Sequence, residues 1–267
     1  MISAEQQEQV ISLIHSKLSD KESAWLTSKS EVVSNTETSH KFKVFFSLAA
    51  RFISGDVVSW SNDELETLEQ IYPGFSKSPW TKQDLVRASL MMCLDTSINE
   101  SVLLSFFEIA EMKEQIALYK GLYFLENAPV FSKQVAEGIR TNMSNVFDAI
   151  ASGNPFAQTY LSEEAWNQMI LKSFFMDRSL YQVQYIDRGK NEKLANMLQD
   201  YVKERWAAGR QVSLEIWRMI DSYLRDDIKD LISKRTFEGM ESEVITKLSQ
   251  QNNEAIPTSF WEEAARN

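Results

Sequence analysis

Two polar side chains sit where an amphipathic helix should carry apolar ones. In Ala165-Trp166-Asn167-Gln168-Met169-Ile170-Leu171-Lys172-Ser173-Phe174-Phe175, a rotation of about 100° per residue puts Asn167 inside the arc of Trp166, Ile170, Leu171 and Phe174. Gln168 and Lys172 take the polar side. In the stretch Leu194–Gly209 the same rotation places Arg205 on the seam of Leu194, Leu198, Tyr201 and Val202, with Lys193, Asn196, Asp200 and Glu204 on the wet face. An orphaned buried polar group costs about 1–3 kcal/mol, so each residue implies oxygen partners. The expected suppliers are backbone carbonyls at a helix end or loop, or carboxylates such as Glu164 and Asp187. Two readings follow. In the structural one, Asn167 ties down a neighbouring loop and Arg205 caps carbonyls or pairs with an acid. In the functional one, a single polar network lined by two tryptophans floors a pocket whose binding residues are Trp166, Asn167, Lys172, Arg205, Trp206 and Arg210.

Other chemistry is thinly represented. The two histidines, His15 and His40, have no second ligand at helical spacing, so no zinc site of the usual pattern is present. A carboxylate di-metal bundle would want Glu-x-x-His on two helices, and neither histidine fits. There is no glycine-rich phosphate loop, no Gly-x-Ser-x-Gly elbow and no kinase-type catalytic set. The sequence therefore assigns no catalytic residue, and neither a metal nor a cofactor is expected; paired Asp or Glu is the one catalytic route left open. The single cysteine, Cys93, lies in Leu90-Met91-Met92-Cys93-Leu94, the setting of a buried, inert thiol. Seven tryptophans and ten methionines are read chiefly as core material.

The totals bound the class. A chain of 267 residues with 43% hydrophobic and 25% charged residues can bury a sizeable core. Eight glycines and five prolines leave few turn-makers, which favours long helices. A net charge of −10 argues against nucleic acid and against anionic lipid as partners, because both need clustered Lys and Arg. One cysteine rules out an internal disulfide and suits a reducing compartment. The first residues, Met1 to Glu8, lack the basic and apolar regions of a secretory leader. No apolar run reaches the length of a membrane span, and a cytoplasmic location is expected.

The elements that would position these residues are all helical. Helices are expected at 5–18, from a Ser19/Glu22 capping box through Leu26, at 41–53, from a Ser61/Glu64 box to Tyr72-Pro73-Gly74, and from Thr81 through Leu94. Others follow from an Asn99 cap, at 111–124, 131–151, 213–224, 226–235 and 239–250, with a short turn after Pro257. On 41–53, Phe42, Phe45, Phe46, Ala49, Phe52 and Ile53 share the inner face, which leaves Arg51 at the surface beside Lys43 and Ser47. Short connections imply antiparallel neighbours, so the fold is read as all-α: an irregular stack of antiparallel helix pairs, either a HEAT/armadillo-like α-solenoid or a multi-helix bundle. No repeat of fixed period is evident. One domain over 1–267 is expected, with a minor seam at 153–155 (Gly153-Asn154-Pro155) and residues 251–267 loosely docked.

Several of these segments carry a family resemblance. Trp166-Asn167-Gln168-Met169, the run Asp187-Arg188 with Asn191 and Leu194, Glu204-Arg205-Trp206-Ala207-Ala208-Gly209-Arg210, and Phe46-Ser47-Leu48-Ala49-Ala50-Arg51-Phe52 resemble the EboA-domain family, over about Phe42 to Trp217. Ala50 and Glu192 stand where the family pattern has prolines, a change of loop and helix-start geometry. The resemblance implies an accessory protein encoded beside a prenyltransferase, a dehydroquinate-synthase-like protein and a metal-dependent hydrolase, in clusters that make or export small secondary metabolites. It implies no catalytic residues. The expected function is a non-enzymatic scaffold or binding module recruiting a partner protein or a small apolar metabolite. The rival is an enzyme acting on a hydrophobic metabolite through carboxylates and the Asn167/Arg205 neighbourhood.

Overall fold

A computed structural model describes residues 2–250 and 256–264. The described residues form sixteen α-helices and seven short 3-10 segments, with no strand and one isolated bridge between Val57 and Thr81. None of the described helices is long and apolar enough to cross a membrane. Of the expected loosely docked tail, 251–255 and 265–267 lie outside the described residues, while Thr258–Ala264 is helical. The chain divides into two compact units, Met1–Ser162 and Glu163–Asn267.

The first unit is built round the helix Lys82–Met92, every residue of which from Asp84 to Met91 is buried. It starts at a Thr81/Asp84 capping box and packs against Ala4–Ser16, Asp20–Ser34, Phe42–Phe52 and Met112–Gly121. A helix enclosed on all sides must have its polar residues met from neighbouring elements. Asp84 accepts from Lys120 Nζ at 3.4 Å, and the same ammonium donates to Pro79 O and lies 4.4 Å from the Trp80 ring centre. Arg87 donates Nε–H to Phe46 O at 3.1 Å. Burial pushes the pKa of Lys120 down, with Asp84 opposing the shift. Tyr72, Phe75, Trp80 and Phe124 then pack ring against ring beside this helix.

Helix starts follow local chemistry. The Ser19/Glu22 and Ser61/Glu64 boxes both form, the helix expected from Thr81 starts there with a box closed by Asp84, and an unanticipated box forms at Ser3/Gln6. On Phe42–Phe52 the phase is as read, with Phe42, Phe46 and Ala49 buried and Arg51 exposed. Phe52 is the exception, 50% exposed and stacked on Trp25 at 5.6 Å.

Two readings are corrected. Asn99 is no cap; it is the buried first residue of Asn99–Phe107, and its amide exchanges hydrogen bonds with that of Asn127 at 3.0 and 2.8 Å. The helix expected over 131–151 is two, Ser132–Gly138 and Ser144–Ala151. Between them the Thr141 hydroxyl accepts the Met143 N–H, a local bond that competes with the helical ladder. Gly138 packs so closely on Tyr119 and Ile150 that a β-carbon would overlap both. The turn Gly153-Asn154-Pro155 is buried within the first unit, with the Asn154 amide donating to Tyr119 O and Ala149 O.

Glu22 makes a clear test of this scaffold. Burial works to raise its pKa, but hydrogen bonds from Ser54 N–H, Ser19 N–H, the Ser19 hydroxyl and Lys82 outweigh it and hold the carboxyl at about 2. Its folded pKa lies below the ordinary 4.5, so its stabilisation is present above pH 4.5 and is lost as the pH falls towards 2. Glu22→Gln is expected to cost about 1–2 kcal/mol at pH 7 after allowance for solvent screening. In urea melts the gap from the parent protein should close towards pH 2.

Candidate functional site

In the second unit, Glu163–Phe175 packs against Glu192–Ala207, which in turn packs against Glu215–Ile220. The connection 176–191 carries the two non-glycine residues of positive φ found among the described residues, Asp177 (51°) and Tyr185 (57°). An aspartate tolerates this left-handed conformation, whereas at a tyrosine it costs roughly 1–2 kcal/mol. Such strain persists only where the surroundings over-determine it, and here they do.

Four anchors hold the turn 186–191. Trp166 donates its indole N–H to Gly189 O at 2.9 Å, and its ring lies so close to Gly189 that a β-carbon there would overlap it. Asn167, 1% exposed, exchanges amide hydrogen bonds with Asn191 at 3.1 and 2.8 Å. Asn191 Oδ1 also accepts the Leu194 N–H, so the same side chain caps Glu192–Ala207. Arg218 donates Nε–H and a terminal N–H to the two oxygens of Asp187 at 2.9 and 2.5 Å. Lys190 bridges Asp187 at 3.4 Å and the fully buried Asp221 at 3.2 Å.

The cluster is thus two cations against two carboxylates. Burial works to raise the Asp187 pKa, but Arg218 and Lys190 outweigh it and hold the carboxyl below its ordinary range. Burial pushes the Tyr181 hydroxyl up, with the Glu215 charge adding to the shift. Glu215 in turn receives the Ser179 hydroxyl and the N–H groups of Leu180 and Tyr181, fixing the turn before the strained tyrosine. Chemically this is a charge-balanced clamp, with Asp187 as its most exposed member at 32%.

The structure brings together Trp166 and Asn167 and separates them from Arg205. Asn167 meets Asn191 at the start of Glu192–Ala207, and Arg205 lies fourteen residues further along that helix. At 1.5 Å per residue this is roughly 20 Å. Arg205 is half-exposed, donating Nε–H and a terminal N–H to Gln211 O at 3.0 and 2.8 Å with its guanidinium 5.9 Å from the Tyr201 ring centre. The expected network through both residues is therefore not formed. Trp206 is buried against Trp217, with Arg235 over its ring. Lys172 is half-buried, its pKa pushed down by burial, and Arg210 is exposed beyond the helix. Of the expected oxygen suppliers, Glu164 pairs with Lys193 and Asp187 with Arg218. Arg218 and Asp221 were not singled out from sequence; the visible signal was a charge inside Ile216-Trp217-Arg218-Met219-Ile220, all of it buried.

Two substitutions test the clamp. Asn167→Leu should cost about 1–3 kcal/mol in urea unfolding by orphaning the Asn191 amide. Arg218→Met should cost about 2–3 kcal/mol at pH 7, since it strands a carboxylate that is only partly solvated. The Asp187 pKa is depressed in the folded state, so this loss should be full above the ordinary value of 3.8 and should shrink as the pH falls below it.

The residues that build the clamp from Trp166 to Asp221 fall within a wider sequence match. No curated protein and no solved structure shows a significant match to the chain. The family described as metabolite traffic protein EboA matches residues 6–221. With most of its length matched, the chain belongs to the EboA family.

Proposed function

We propose that this protein is a cytoplasmic, non-enzymatic binding module that supports metabolite traffic by recruiting a small apolar metabolite or a partner protein of the same pathway. The observation that carries this reading is that the ionisable groups of the second unit's clamp, Asp187, Lys190, Arg218 and Asp221, are engaged with one another to hold a strained turn. A general acid or base works with a pKa near the operating pH. Asp187 is shifted the other way, below the ordinary carboxylate range. The family's description as metabolite traffic proteins fits an accessory role.

The surface suited to recruitment lies away from the clamp. Phe175 is 61% exposed and meets the Tyr201 ring edge-on at 5.0 Å, with Arg205 over the same ring. An exposed aromatic beside a cation fits an apolar molecule with an acidic group. Mass spectrometry of proteins and small molecules that co-purify with the native chain tests the reading. Phe175→Ser with Arg205→Ala should reduce the retained species about tenfold, equivalent to about 1.4 kcal/mol, with the helical circular dichroism spectrum kept and the melting temperature lowered only by the lost Arg205 bonds to Gln211 O. Chemical conversion of the retained molecule by the purified protein would overturn the reading in favour of an enzyme.

A further inference from the structure

The segment Ile256–Trp261 lies against the clamp of the second unit, although it falls beyond the family match, which stops at Asp221. It makes three polar contacts there. The Ile256 N–H donates to Asp221 Oδ2 at 3.1 Å, the Thr258 hydroxyl to Asp187 Oδ2 at 3.3 Å, and the Tyr181 hydroxyl to Trp261 O at 2.8 Å. Ile256 and Trp261 are 3% and 1% exposed, and Lys247 sits 4.8 Å from the Phe260 ring centre.

Two features bear on whether these contacts can be exchanged. Asp187 and Asp221 are already neutralised by Arg218 and Lys190, so the clamp does not need the segment for its charge balance. The Trp261 indole N–H, like those of Trp80 and Trp217, is buried with no acceptor among the described residues, which works against the docked state. The segment's aromatic anchor is well enclosed, but it is imperfectly satisfied where it sits.

We propose that Ile256–Trp261 is a displaceable strap on a peptide-docking face built by Tyr181, Asp187, Arg218 and Asp221, and that this face accepts in exchange a partner segment of the same chemistry. That chemistry is an aromatic anchor, a hydroxyl side chain three residues before it, and a free backbone N–H two residues earlier, as in Ile256, Thr258 and Trp261. Asp187 and Asp221 receive the hydroxyl and the N–H, and the Tyr181 hydroxyl reads the anchor's carbonyl. The strap keeps the face covered until a competing segment arrives. This assignment stands apart from the Phe175 surface and does not depend on it.

The test uses the full chain with a protease recognition sequence inserted between Gln250 and Ile256, cut after folding. The probe is a fluorescein-labelled peptide of the sequence Ile256–Ala264. A tethered segment competes at a high effective concentration, so the uncut protein should bind the peptide roughly a hundredfold more weakly than the cut protein. A peptide carrying Trp261→Ala should not bind the cut protein. Equal binding before and after cutting would overturn the proposal, because the peptide would then sit elsewhere. So would a cut protein that stays helical and binds no peptide. Loss of the helical circular dichroism signal when the segment is released would also overturn it, by making the segment part of the core.

Discussion

Desolvation of polar side chains is the constraint on which both units depend. A charge or amide withdrawn from water must meet a partner inside the protein, and that requirement decides which elements face each other. In the first unit Asp84 and Arg87, on a helix enclosed by its neighbours, are met by Lys120 and by the Phe46 carbonyl. Glu22 joins its own helix start to Ser54 and Lys82. In the second unit Gln199, fully buried, donates to Ala195 O and Tyr223 O and accepts the Arg225 N–H, so one side chain positions the start of Asp226–Ser233. Such groups add little net stability over apolar replacements, but breaking one partner is costly. Their effect is to select one arrangement of helices among many with similar apolar burial.

The same logic explains where strain is tolerated. Tyr185 adopts a left-handed backbone within a connection whose far end is held by an indole, an amide pair and two ion pairs. Gly189 is required there because the Trp166 ring occupies the space of a β-carbon. The polar residues that looked most like a binding pocket are therefore the means by which the turn keeps its shape.

This division of labour bears on function. A clamp whose cations and carboxylates neutralise one another is well suited to presenting a surface and poorly suited to moving protons. Lys120 in the first unit has the depressed pKa often associated with catalysis, but it is enclosed between Asp84, the Pro79 carbonyl and the Trp80 ring. An accessory role in metabolite traffic is consistent with both observations.

The sequence alone determined what depends on neighbours three or four residues apart. Capping boxes at Ser19 and Ser61, the helix start at Thr81, the surface position of Arg51 and the burial of Asn167 were all legible, because one helical turn holds the interacting groups. The family was legible through the block around Trp166 and Asn167. The partner of Asn167 was not, since Asn191 is 24 residues away and the choice between it and a carboxylate is made only when the helices pack. Arg205 shows the converse limit. Its wheel position pointed inward, yet the chain turns at Gly209 in a left-handed conformation and brings the Gln211 carbonyl back to a guanidinium near the helix end, where solvent reaches it. Periodicity reports which face of a helix is apolar, but not how far along the helix the neighbouring element extends. That, with the pairing of Arg218 to Asp187 and Lys190 to Asp221 across about thirty residues, was decided by tertiary packing, because long-range partners are chosen by desolvation at assembly and not by local backbone preference.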